Sequence, residues 1–192
     1  MEKLNADDAS CAGVSKSDVA TESMFAVGIY TATCYDKDGN VKWSDTYKNL
    51  VVNVGKADIL QQYFSGSTYT AAWYLGLVDG ASAPTYNAAD TMASHAGWTE
   101  NVGYSAATRP APSWSAATGT GGGSGTAGTG SKSTTATAFS INATSTIAGT
   151  FLVTNNTKSG TTGTLYSAGS FTGGNRSVAS GDTLNVTYTA QV

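Results

Sequence analysis

Apolar and polar residues alternate along most of this chain with the period of two that marks strands half-buried against a core. The pattern is clearest near the end, where Leu184, Val186, Tyr188 and Ala190 are separated by Asn185, Thr187 and Thr189. Phe139, Ile141 and Ala143 alternate in the same way, as do Ile147, Gly149, Phe151 and Val153, and Leu165 to Phe171 reads as a further strand. Residues 24–35 (MFAVGIYTATCY) open the β pattern, with Phe25, Val27 and Ile29 on one face and Ala26, Gly28 and Tyr30 on the other. Asp36 to Asn40 then predict a hairpin turn centred on Asp38-Gly39, and Val41, Trp43 and Tyr47 mark the returning strand. Trp73, Leu75 and Leu77 alternate with small or polar neighbours, which places Trp73 in the core. Short strands are expected over Trp98 to Tyr104 and Arg109 to Trp114, with Pro110 and Pro112 putting the second at a sheet edge.

One stretch breaks the period. Residues 54–64 (VGKADILQQYF) predict a short helix, capped by Asn53 and ended by Ser65-Gly66, with Ile59, Leu60, Tyr63 and Phe64 on one apolar face. Residues 80–97 hold no strong period and contain Pro84, so a long loop is expected. Residues 119–130 (GTGGGSGTAGTG) predict a flexible loop held at its ends by flanking strands. Turn signals at Asn155-Asn156, Gly173-Gly174-Asn175 and Ser180-Gly181-Asp182 separate the later strands. The fold class that follows is all-β and mainly antiparallel, a β-sandwich or jelly-roll-like domain with one short helix. Residues 24–192 form that single domain, with the Gly-rich loop at 119–130. Residues 1–23 are polar and poor in large apolar groups, and are expected to be an arm that is flexible or bound to a partner.

Composition sharpens the picture. Charged residues make up 12% of the chain, against about 25% in ordinary soluble domains. Gly, Ser, Thr and Ala fill the gap, so the surface is one of hydroxyls. The formal net charge is −3 and the Lys and Arg residues are scattered singly, which argues against a nucleic-acid partner. Neither a polybasic patch nor an apolar run approaching the ~20 residues of a membrane span is present, so no membrane partner is expected. The first residues lack the basic start and apolar stretch of a secretory signal. Cys11 and Cys34 have no metal or redox spacing, and Cys34 reads as a small buried hydrophobe.

Candidate chemistry is sparse. His95 is the sole histidine. Asp90 and Glu100 lie near it in sequence, but a Ser-His-Asp triad needs spatial orientation that no G-x-S-x-G elbow supplies here. Gly123 to Gly128 matches G-x-G-x-x-G without the strand, helix and distal acid of a dinucleotide site. Asp36, Asp38 and Asn40 resemble a calcium loop, but Val41 and Tyr47 stand where Gly and Glu are required. Neither cofactor nor metal is therefore expected. Asp45, Asp58, Asp79, Asp90, Glu100 and Asp182 each have an ordinary structural explanation, so a non-enzymatic protein is expected over a carbohydrate-active enzyme. The aromatic residues carry more promise: Trp98 and Trp114 sit beside long or proline-flanked loops, and read equally as core or as partner surface. Met24, Phe25 and His95 complete the candidate partner-binding set.

The stretches NLVVNVGKADILQQYF, AAWYLGLVDG, DTMASHAGWTE and TIAGTFLVTNNTKSGTTGTLYSAGSFTGGNRSVASGDTLNVTYT resemble a group of small virion structural proteins of tailed bacteriophages, from about Met24 to Val192. The resemblance implies a virion component, of the head or of the tail; a capsid decoration (cement-like) protein at the head surface of the virion is the expectation taken from it. Its partner would be the major capsid protein or another virion protein. It would be a homo-oligomer, with a trimer suited to a three-fold lattice point. The alternative the resemblance leaves open is a tail or head-fibre component with a receptor- or glycan-facing surface.

Overall fold

Thr- and Val-rich alternation becomes two antiparallel sheets in the computed structural model, which describes residues 26–64, 72–121 and 129–192. The chain runs through β1 (Val27–Tyr35), β2 (Val41–Lys48), β3 (Leu50–Val51), α1 (Asn53–Phe64), β4 (Tyr74–Asp79), β5 (Glu100–Asn101) and β6 (Thr118–Thr120). It continues through β7 (Thr129–Ser133), β8 (Thr137–Ser140), β9 (Ser145–Val153), β10 (Leu165–Ser170), β11 (Arg176–Val178) and β12 (Thr183–Gln191). The first sheet has the order β2-β1-β12-β7-β6, with β8 also pairing β12. The second has the order β3-β10-β9-β4-β5, with β11 on β9. The expected arm 1–23, Met24, Phe25, the Ser65-Gly66 helix stop and residues 122–128 of the Gly-rich run all lie outside the described residues.

The two sheets share a core because each strand turns one face inward. In β1 that face is Gly28, Tyr30, Ala32 and Cys34, and in β12 it is Leu184, Val186 and Tyr188. These two strands pair over their full length, from Val27 opposite Gln191 to Tyr35 opposite Thr183. Hydroxyl contacts cross between the sheets: Tyr30 Oη lies 2.9 Å from Ser167 Oγ, and Tyr47 Oη lies 2.7 Å from Thr150 Oγ1. Each satisfies a polar tip that burial would otherwise penalise. On the outer face of the first sheet, cross-strand hydroxyls bond to each other, Thr31 to Thr46, Thr33 to Ser44 and Ser133 to Thr189. That face holds the hydroxyl surface implied by the low charge content.

The second sheet is covered on both sides. From Ile147 to Val153 every residue of β9 is buried. Ile147 and Leu152 belong to the core between the sheets. Ala148, Phe151 and Val153 join a second cluster with Val78, Met92 and Trp98 on the outer side. The loop 80–98 makes that outer layer. The half-buried alternation expected for β9 is thus replaced by the continuous burial of a covered strand. Gly76 lets this happen: a Cβ there would collide with the Phe151 ring across the β4–β9 pair.

Three sequence expectations are corrected. The strand foreseen over Trp98 to Tyr104 shrinks to Glu100–Asn101 plus one bridge from Tyr104 to Ile141. Arg109 to Trp114 forms no strand beyond a bridge between Trp114 and Thr134, because Pro110 and Pro112 donate no backbone hydrogen bond and Arg109 turns inward. The helix buries a different stripe from the one its apolar residues marked. Gly55 presses against the backbone of Tyr166, where a Cβ would sit 2.5 Å from the carbonyl oxygen. That contact turns Gly55, Asp58, Ile59 and Gln62 inward and leaves Leu60, Tyr63 and Phe64 exposed. The Gly-rich run is a hairpin at its base, with Thr118, Gly119 and Thr120 paired to Ser131, Gly130 and Thr129. Among the described residues no helix is long and apolar enough to cross a membrane.

Candidate functional site

The buried carboxylates are the first place to look for chemistry, and each one fastens a loop. Asp182 accepts from Lys42 Nζ at 2.5 Å and from the Ala179 amide at 2.8 Å. Burial opposes its ionisation, but those hydrogen bonds outweigh burial and hold its carboxyl below the usual range. The Cys34 thiol points at the same carboxylate from 3.8 Å. Burial, reinforced by that negative neighbour, pushes the thiol up to about 11, so Cys34 is a weak nucleophile at neutral pH. Asp45 accepts from Thr172 Oγ1 at 2.6 Å and from Arg176 Nη2 at 3.3 Å. There too burial raises the carboxyl pKa, yet the hydrogen bonds leave it lowered.

Glu100 and Arg109 form the most enclosed ion pair. Both guanidinium edges are used: Nε and Nη2 donate to the two Glu100 oxygens at 2.9 and 2.7 Å. Nη1 donates to the Asn155 carbonyl and Nη2 also reaches the Gly160 carbonyl. Glu100 accepts one more bond, from the Ser159 amide. Side-chain exposure is 0% for Arg109 and 5% for Glu100. The pair ties the turn between β9 and β10 to the segment after β5. Its bidentate geometry and full complement of partners are those of a structural clasp.

His95 and Trp98 come together, but inside the loop that covers the second sheet. Their rings stack with centroids 4.0 Å apart. His95 Nδ1 lies 2.9 Å from the Trp98 carbonyl, which can only accept, so Nδ1 carries the proton. Trp98 is 4% exposed, packs on Phe151, and donates its indole N–H to Asp90. The second Asp90 contact is the Asn87 amide. The expectation that left Trp98 between core and surface is resolved by its burial: it is a core residue. Among the described residues neither an acid nor a hydroxyl hydrogen-bonds the His95 ring, and no three metal-ligating side chains converge.

Trp114 lies elsewhere, at an open cleft of about 390 Å³ between the sheets. Trp73, Leu152 and Tyr166 form the wall from the second sheet, and Tyr188 and Ala190 of β12 form the other. Lys132 of β7 stands at the rim and is the one charged lining residue among those described. Four rings run in a continuous edge-to-face chain. Trp73 meets Tyr166 at 5.4 Å, Tyr166 meets Tyr188 at 6.2 Å, and Tyr188 meets Trp114 at 6.2 Å. Trp73, read as core, is only half-buried and belongs to this cleft. Lys132 Nζ donates to the Ser115 carbonyl at 2.8 Å and forms no salt bridge among the described residues.

A second apolar surface stands on α1. Tyr63 and Phe64 are 81% and 76% exposed and meet edge to face at 5.0 Å. Leu60 and Val54 are exposed on the same helix. Of the predicted partner-binding residues, then, His95 and Trp98 join a packed loop, Trp114 joins the cleft, and Met24 and Phe25 lie outside the described residues. Sequence reasoning missed Tyr166 and Tyr188, whose β alternation reads as ordinary strand, and Lys132, which follows the Gly-rich run, and assigned Tyr63 and Phe64 to the buried side. Comparison with family models, with curated proteins and with solved structures finds no match for this chain.

Proposed function

We propose that this chain is a non-enzymatic virion structural protein, a capsid decoration protein that binds the major capsid protein and stabilises the phage head. The observation that carries the reading is the apolar edge of α1, where Tyr63 and Phe64 are the most exposed large apolar residues among those described. Exposed aromatic anchors of this kind are what protein interfaces bury. The carboxylates add support, since the buried acids are engaged in fastening loops. The sequence resemblance to small virion proteins supplies the biological setting. A protein that binds only the mature lattice stabilises it by mass action, and repetition over many sites multiplies the effect.

The test is to mix the purified chain with expanded capsids and with procapsids, and to follow co-sedimentation. Binding to expanded shells is expected. The Tyr63→Ser/Phe64→Ser variant should weaken it by at least about tenfold, the equivalent of roughly 1.4 kcal/mol. Failure of the parent protein to bind either shell would remove the proposal. The aromatic cleft favours one second reading, a tail or head-fibre component whose Trp and Tyr residues face a receptor or glycan. Copy number separates the two: hundreds per particle for a decoration protein, a small symmetric set for a tail part.

A further inference from the structure

From the cleft we infer a ligand site of its own: it binds a planar apolar molecule carrying one negative charge. The inference is independent of where the protein sits in a particle. Its first support is shape. The cleft of about 390 Å³ falls within the range of small-molecule sites, roughly 300–1,000 Å³, which are mostly apolar with few polar groups. The second support is the wall. Trp73, Tyr166, Tyr188 and Trp114 form an unbroken edge-to-face chain, and Leu152 adds an aliphatic surface. A flat guest extends such a chain in the offset or edge-on geometries that aromatic quadrupoles favour.

The third support is charge. Lys132 is the single charged group among the described lining residues, and no carboxylate lines the cleft with it. One of its three N–H donors goes to the Ser115 carbonyl, which anchors the ammonium at the rim. The remaining donors face no carboxylate partner within ion-pair distance among the described residues. An anionic group at the rim, attached to a ring system in the cleft, satisfies both features together. A cation would meet Lys132 unfavourably, and a neutral ring would leave the ammonium unused.

Two fluorescent probes with nearly the same skeleton test this. Anilinonaphthalene sulfonate carries the negative charge, and N-phenylnaphthylamine lacks it. Titrated into the full chain, the sulfonate should saturate at one probe per chain and bind more tightly than its neutral counterpart. Trp114→Ala should weaken both probes by about tenfold or more, and Lys132→Gln should weaken only the sulfonate, by about three- to tenfold. Lys132 is exposed, so that variant keeps its fold, which a urea midpoint verifies. The Tyr63→Ser/Phe64→Ser variant should bind both probes as the parent does, which separates the cleft from the helix edge. The inference is overturned by a titration that never saturates, or by binding that survives Trp114→Ala. Equal losses of both probes in Lys132→Gln, or loss on changing the helix, overturn it as well.

Discussion

Arg109 shows what a single buried charge does in this molecule. Its guanidinium is out of solvent, and its donors are distributed over Glu100, Asn155 and Gly160. Replacing it with Met removes the positive partner and strands the Glu100 carboxylate in a dry site. Arg109→Met should therefore destabilise by about 3–5 kcal/mol in a urea titration. The double change with Glu100→Gln should cost less than the sum of the singles, since the orphaned charge is gone. The other ionisable groups set the pH window. Asp45 and Asp182 have folded pKa values below 3.8, the ordinary value of an aspartate, so their contribution is complete above it and is lost as pH falls through the folded values. Cys34 and the buried tyrosines Tyr30, Tyr47 and Tyr188 are raised by burial, so their contribution is complete below their unfolded values, 9.0 and 10.0, and is lost as pH rises further. Urea midpoints should be level from about pH 5 to pH 8 and fall on both sides. A midpoint that still rises above pH 10 would contradict these assignments.

Helix α1 was legible from its residues in extent but not in orientation. Asn53 begins it and Phe64 is its last described residue; the Val52 carbonyl accepts the first helical bond, from the Lys56 amide, and the expected Ser65-Gly66 stop lies outside the described residues. The apolar stripe of Ile59, Leu60, Tyr63 and Phe64 promised a buried face, yet the close approach of Gly55 to Tyr166 rotates most of that stripe outward. Packing against a strand outweighed the amphipathic signal because backbone contact leaves no room for a side chain. Gly55→Ala makes the competition measurable. Alanine gains about 1 kcal/mol in helix propensity, but its Cβ would meet the Tyr166 carbonyl, and overpacking costs about 1–3 kcal/mol. The substitution should be neutral to destabilising in urea, and stabilisation would show that the helix is not pinned there. The loop 80–98 was legible only as a loop. Its cover over β9 depends on Trp98 and Met92 meeting residues far away in sequence, such as Phe151, while Asp90 holds the Trp98 indole from within the loop.

The whole molecule is closed by its first and last described strands, since β1 and β12 pair over nine residues. β12 also carries β7 and β8. A chain ending at residue 182 loses the centre of the first sheet and should lack a cooperative urea transition. Full-length refolding should be slow, in the range of about milliseconds to seconds, because this pairing spans nearly the entire chain. Stopped-flow tyrosine and tryptophan fluorescence measures that rate. The sequence alone determined the all-β class, the hairpin at Asp38-Gly39, the inward alternation of β12 and the position of the helix. These follow from local periods and turn residues, which neighbours a few positions apart impose. Only the tertiary structure decided that Trp98 is core while Trp73 and Trp114 share a cleft, that β9 is covered twice, and that Tyr63 and Phe64 face outward. Those outcomes depend on which surfaces distant segments bring together, and the period of a single strand or helix carries no record of that.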